Sequence, residues 1–158
     1  MADNVTMRAR DTISGSTGCA YVTIDGERRK LLELINIEAN VKKTKVKVPI
    51  MGRTGKGNKA TGWEGTGKAK IHYVTSVFRK LLLKYMQTGE DTYFDIQIEN
   101  EDKTSGTGRQ TIVLIDCNID EGMLAKLDAD AEYLDEEVSF TFEDAKMPEE
   151  FERLLGME

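Results

Sequence analysis

The stretch Pro49–Ala69, PIMGRTGKGNKATGWEGTGKA, constrains the fold more than any other part of the chain. It holds six of the 14 glycines, the only tryptophan, Trp63, and one of the two prolines. Strand-like sequence lies on both sides of it. The composition predicts a polar, glycine-rich connection of about 20 residues, where most connections in compact domains run about 4–6. A loop of that length is usually disordered or functional.

Charge is segregated around this stretch. Lys42 to Lys70 carries nine basic residues and one acid, Glu64, a net +8, whereas Asp116 to Glu158 carries fifteen acids and three bases, a net −12. Opposite poles on one chain steer copies of it into head-to-tail contact; the plainer alternative is two solvated faces, or a salt-linked pair within one monomer. The total of −6 over 158 residues argues against a dedicated nucleic-acid binder. That length fits one domain, residues 1–158, able to bury a core without disulfide or metal.

Taken in order, residues 1–18 read as a polar arm or frayed terminus. Tyr21–Ile24 is β-rich and ends in Asp25-Gly26, a hairpin signal. One long return strand is expected, with Leu31, Glu33, Ile35, Ile37, Ala39 and Val41 on one parity and Val46, Val48 and Ile50 continuing the alternation between lysines. Lys68–Val74 alternates again. Thr75-Ser76 then caps a helix over 76–88, with Phe78, Leu81, Leu82, Tyr85 and Met86 on one stripe and Gly89 past its end. Further strands are expected at Phe94–Glu99, Arg109–Asn118 and Val138–Phe142. Residues 119–131 read as irregular, and Pro148 as the opening of a short helix with Phe151, Leu154 and Leu155 on one face. Without regular βαβ alternation the sheet is expected to be mainly antiparallel, a β-sandwich or barrel with one flanking α-helix.

No catalytic constellation is present in the sequence. Gly62–Lys68 fits the start of a phosphate-binding P-loop, but Ala69 stands where a Mg²⁺-binding hydroxyl is required, and a β-alternating segment follows instead of a helix. The single histidine, His72, excludes multi-histidine metal sites. Asp128–Glu132 resembles a calcium loop in composition alone. Cys19 and Cys117 match no zinc spacing and read as small buried hydrophobes. The expectation is therefore no enzyme, no cofactor and no metal. The longest apolar run, Ile112–Ile115, is far too short to span a bilayer, so no membrane insertion of the monomer is expected.

Several short motifs then point to a family. They are Thr12-Ile13-Ser14-Gly15, Asp25-Gly26-Glu27, Glu38-Ala39-Asn40-Val41, Ile50-Met51-Gly52-Arg53, Gly65-Thr66-Gly67, Val74-Thr75-Ser76-Val77-Phe78, Ser105-Gly106-Thr107-Gly108-Arg109 and the block Leu127–Asp144. In order and spacing, from about residue 12 to 150, the chain resembles the tail tube protein of contractile phage tails. The variety is that of PBSX-like defective prophage particles and phage-tail-like bacteriocins. The N-terminus runs several residues past the family's usual start.

The resemblance implies rings of six copies whose inner strands form a continuous barrel around a lumen. It implies rings stacked into a tube within a contractile sheath, with baseplate and tail terminator proteins as further partners and a lumen through which DNA passes in some particles. Assembly in the bacterial host cytoplasm and release by lysis as part of a virion or particle follow. On this reading residues 42–70 form an inter-subunit strand and loop. Lys45, Lys47, Arg53, Lys56, Lys59 and Lys68 face a neighbour's acids, and Trp63 is an aromatic anchor. The alternative for Trp63 is a lid over its own core. Asp95, Gln97 and Glu99 are candidates for the lumen lining. Two other readings stand beside this one: a hexameric tube or carrier protein like that of type VI secretion, and a nucleic-acid-binding barrel using the basic loop.

Overall fold

The computed structural model describes residues 5–157. Eight β-strands and one α-helix follow in the order β1 (Gly18–Ile24), β2 (Glu27–Lys30), β3 (Leu34–Val48), β4 (Gly57–His72), α1 (Val77–Thr88), β5 (Phe94–Glu101), β6 (Arg109–Glu121), β7 (Asp135–Phe142) and β8 (Asp144–Glu149). The fold is mainly antiparallel β with one helix, as expected. The described residues form two compact units. Unit one takes Met1–Leu32, Phe94–Ile115 and Ala145–Glu158 in so far as they are described, and unit two takes Glu33–Tyr93 and Asp116–Asp144.

In unit one, β1 and β2 form the hairpin signalled by Asp25-Gly26. Both turn residues have positive φ, 51° and 80°, and Ile24 faces Glu27 across a two-residue loop, the twist-matched geometry that Asp-Gly favours. The other edge of β1 pairs with β5, placing Val22 opposite Ile96 and Ala20 opposite Ile98. Ala20, Val22, Phe94, Ile96 and Leu114 are buried there. The return strand is shorter than expected. Lys30 ends β2, Leu31 turns inward with its amide donating to the Ala20 carbonyl, and Leu32 is exposed before β3 begins.

The segment before β1 is tied down rather than frayed. Ala9–Asp11 forms a 3-10 turn. The Ser14 amide donates to the Asp102 carboxylate, and the Ser105 hydroxyl donates to the Asp11 carbonyl. The Thr104 hydroxyl, the Ser14 amide and the Thr104 amide hold the Asp102 carboxyl below the ordinary carboxylate range. Residues 1–4 of the expected arm lie outside the described residues.

The expected terminal helix is absent. Pro148 lies within β8, which pairs with β6, and residues 150–157 form no helix. Proline is tolerated on such a strand because an edge leaves some amides without a ladder partner. The Arg109 guanidinium and the Thr111 hydroxyl donate to Glu149, and the guanidinium holds that carboxyl below its usual range.

In unit two the order is β6, β7, β4, β3. The expected glycine-rich loop is largely strand: β4 begins at Gly57, and residues 49–56 alone connect it to β3. Glycine in a sequence signals a loop, yet here it makes room for aromatic rings. A Cβ on Gly65 would meet the Phe142 ring at 2.5 Å, and one on Gly67 would meet the Phe140 ring at 2.3 Å. Gly65 pairs with Phe142, Gly67 with Phe140, Ala69 with Val138, and both rings are buried over the bare backbone.

Helix α1 ends as expected at Gly89, with φ 76° and its amide on the Tyr85 carbonyl. The Ser76 side chain makes no cap; the Thr75 hydroxyl accepts from the Val77 amide instead. Of the apolar stripe, Phe78 is buried while Tyr85 and Met86 are exposed. Residues 119–121, expected to be irregular, complete β6.

The glycine–aromatic contacts predict a position-specific cost. Gly67→Ala should destabilise the fold by about 1–3 kcal/mol through overpacking. Gly62→Ala, whose added Cβ would meet nothing within 4 Å beyond its chain neighbours, should stay within about 0.5 kcal/mol of the parent. Urea unfolding of the two variants checks this, and equal costs would remove the packing explanation.

Candidate assembly surfaces

Strand β4 pairs with β3 from Gly57 to Ile71 but with β7 only from Gly65 to His72. Beyond Gly65 and its partner Val41, two strands continue without a third. Lys42–Val48 and Gly57–Glu64, joined by residues 49–56, form a ribbon arm. At ~3.3 Å per residue, the part of β3 past Val41 spans about 23 Å. Nearly all its residues are exposed. A lone two-stranded ribbon is marginal in water, because it has neither a third strand nor a covered apolar face. At its tip the Arg53 amide donates to the Ile50 carbonyl over 3.2 Å and Gly52 has φ 87°. This type II turn needs glycine at its third position, and it leaves Met51 fully exposed at the corner.

The register sorts the expected interface residues into separate groups. Lys45, Lys47 and Trp63 lie on one face of the arm, with Lys45 opposite Ala60, Lys47 opposite Asn58 and Trp63 opposite Lys43. Lys59 lies on the other face of the arm, and Lys68 lies outside the arm, in the three-stranded part of the sheet between Glu38 and Ser139. Arg53 and Lys56 belong to the tip connection. A bulge between Thr44 and Lys45 sets this pattern, since the extra Thr61 shifts the parity of β4. The residues therefore do not form one patch. Among the described residues none of the six cations makes an ion pair, nor do Lys42 and Lys43, while Lys70, in the part of β4 held between β3 and β7, pairs with Asp135 at 3.4 Å.

Trp63 is half-exposed. Its ring centroid lies 6.2 Å from that of Phe142, over a shallow hollow lined also by Glu64, Gly65, Thr141 and Glu143. It covers one edge of its own core and leaves the rest of the indole open. The P-loop-like Gly62–Lys68 is extended strand throughout.

At the end of β4 away from the arm lies a cluster that the sequence reading missed. Glu136 on β7 is 2% exposed, and the Arg79 guanidinium on α1 donates to it and to the Thr75 carbonyl. Arg79 also stacks 4.3 Å from the Tyr73 ring centroid. Burial pushes the Glu136 carboxyl up, Arg79 offsets part of that, and Glu33, the first residue of unit two, adds to it. Glu33 is buried beside the start of β3, and its carbonyl accepts from the His72 amide at 2.9 Å. One signal was available: Glu33 and Glu136 both occupy the apolar parity of their segments, where a carboxylate needs a partner.

The lumen candidates sit in unit one on β5, each part-buried. Asp95, Gln97 and Glu99 face Thr23, Tyr21 and Cys19 of β1. Gln97 donates to Glu99 at 2.7 Å, and the Cys19 thiol, part-buried rather than a core residue, donates to the same carboxylate at 3.4 Å. Arg28 lies 4.2 Å from the Tyr21 ring centroid, so this face carries both signs of charge. Cys117 is fully buried.

The phage tail tube protein family matches residues 5–149, and the chain belongs to it. The Bacillus subtilis (strain 168) phage-like element PBSX protein XkdM is 44% identical over 143 residues, covering 90% of this chain and 95% of that one. Two solved structures share the fold at 10% identity. The sheath/tube terminator of an extracellular contractile injection system superposes with a TM-score of 0.63, covering 86% of this chain and 96% of that one. The SPP1 tail tube does so with 0.62, covering 89% and 80%.

The buried cluster predicts opposite responses to two changes. Arg79→Met leaves Glu136 buried without its cation and should cost about 3–5 kcal/mol. The raised Glu136 pKa means that the folded chain binds that proton more tightly than the unfolded chain. Its contribution to stability should rise as pH falls from neutral through the raised value, and level off below the ordinary carboxylate range. Glu136→Gln should flatten that segment of a plot of urea midpoint against pH. An unchanged slope would remove Glu136 as its source.

Proposed function

We propose that this chain is the structural subunit of the inner tube of a contractile phage tail or phage-tail-like particle. Six copies close into a ring, and rings stack into a tube held by a sheath and bounded by baseplate and terminator proteins. The observation that carries this reading is the ribbon arm. It has open backbone edges, and among the described residues its cations lack ion pairs and no third strand pairs with it. A neighbouring copy supplies what it lacks: strand edges to pair with and acids to neutralise Lys45, Lys47, Arg53, Lys56 and Lys59. Membership of the tail tube family supports it, as does a fold shared with chains of contractile systems. The role is structural and not enzymatic. The particle is the chain's destination, reached by assembly in the host cell.

Within the ring, the part-covered β5 face with Asp95, Gln97 and Glu99 is our candidate for the lumen. Its carboxylates disfavour close approach of a phosphate backbone, which keeps any transported strand mobile.

Replacing Lys45–Thr61 by a two-residue Asn-Gly turn, flanked by the cross-strand partners Thr44 and Gly62, tests the central step. The shortened chain should keep the parent's unfolding midpoint and form no tubes in negative-stain electron microscopy. Normal tubes from it would overturn the bridging role. Raising salt from low to physiological strength should slow the early association of the full chain, because exposed charges are screened beyond about 8 Å there. Light scattering reads that rate, and a rate independent of salt would leave the cations as surface solvation.

A further inference from the structure

Unit two carries a groove that none of the described residues fills. Leu81, Leu82 and Tyr85 of α1 and Ile119 of β6 give it apolar walls; Asp91, Thr92, Asn118 and Asp120 give it a polar rim; its volume is about 220 Å³. The Asn118 amide donates to the Thr92 carbonyl at 3.4 Å across the rim. Close by, Gly122 packs so tightly on the helix that a Cβ there would meet Leu82 at 2.7 Å. Asp91 and Asp120 are exposed and make no ion pair among the described residues. Tyr85 is 53% exposed, an aromatic ring left open beside leucines.

The arm tip is complementary to this groove in polarity and charge. Met51 stands at the corner of a tight turn, 101% exposed, and Arg53 follows two residues later without an ion pair among the described residues. A methionine adapts to irregular apolar gaps and makes favourable sulfur contacts with aromatic rings. An arginine two residues away can reach carboxylates on a rim.

We infer that the groove between α1 and the end of β6 receives the arm tip of a second copy of this chain, with Met51 among Leu81, Leu82, Tyr85 and Ile119, and Arg53 on Asp91 and Asp120. The inference rests on the arm's bridging role and names its acceptor. Donor and acceptor are different surfaces of one chain, so each copy gives one tip and receives another. Such a heterologous contact closes into a ring or runs on as a filament.

Two substitutions on exposed side chains test it in the full-length protein. Met51→Asp and Tyr85→Asp should each keep the parent's circular dichroism and unfolding midpoint, and each should raise the concentration needed for tube formation at least about tenfold. Met51→Cys protein mixed with Tyr85→Cys protein should give, on mild oxidation, a disulfide between positions 51 and 85 identified by peptide mass spectrometry. Leu127→Cys, 98% exposed and outside the groove, should link to position 51 at least about tenfold less. The crosslink reads the contact in concentrated protein even where tubes do not grow. If Met51→Asp blocks assembly while Tyr85→Asp does not, and position 51 links elsewhere, the bridging role stands and the groove is the wrong acceptor. If Met51→Asp forms normal tubes, the bridging role of the tip falls as well. If Tyr85→Asp tubes form normally but fail to bind sheath protein, the groove belongs to the sheath and the inference is overturned.

Discussion

Strand β4 is paired over two unequal lengths, and the rest of unit two depends on that mismatch. Its inner half is held on both sides, by β3 and by β7. There, glycines bring the backbone against Phe140 and Phe142, so two large rings are buried where side chains on β4 would have excluded them. Its outer half has β3 alone. The same hydrogen-bond ladder thus passes from a packed sheet to a solvated ribbon without a break in the chain. Ribbons of that kind are stabilised mainly by what they pack against.

The charge distribution follows the same division. At the inner end, a carboxylate is buried with the Arg79 guanidinium, where a low local dielectric makes the pairing strong and its loss costly. At the outer end the cations are exposed, close together and without ion pairs, where water and salt weaken their mutual repulsion but do not remove it. The isolated chain gains nothing from that repulsion. An assembly that brings acids to the arm gains from each pair formed, and the acid-rich segments of the second half of the chain are of the right sign.

A tube subunit has to satisfy two demands that conflict in a monomer. It must fold alone, and it must leave strand edges and apolar spots open for its neighbours. The chain separates the two in space. The cores lie under paired strands, while the arm and the outer part of α1 stay open, and there Tyr85 and Met86 extend the apolar stripe past the point at which the core ends. On the helix a continuous stripe of sequence therefore runs from buried to open surface.

Much of this was legible from residue order alone. Period-two alternation located β7 and β5, period 3.6 with Gly89 located α1, and Asp25-Gly26 located the first hairpin, because each signal is local and its physics acts within a few residues. The family motifs, spread over nearly the whole chain, identified the tail tube fold. What the sequence hid was long-range. Glycines that read as a loop became strand because Phe140 and Phe142, some 75 residues away, required bare backbone to pack on. Pro148 entered an edge strand instead of opening a helix because β6 was there to pair with. Glu33 and Glu136 occupy apolar-parity positions, and the arginine that pairs with Glu136 comes from α1. Local propensity fixed which segments alternate and where they turn. Only the tertiary structure decided which partners they met, since burial and pairing are set by residues that the local pattern does not contain.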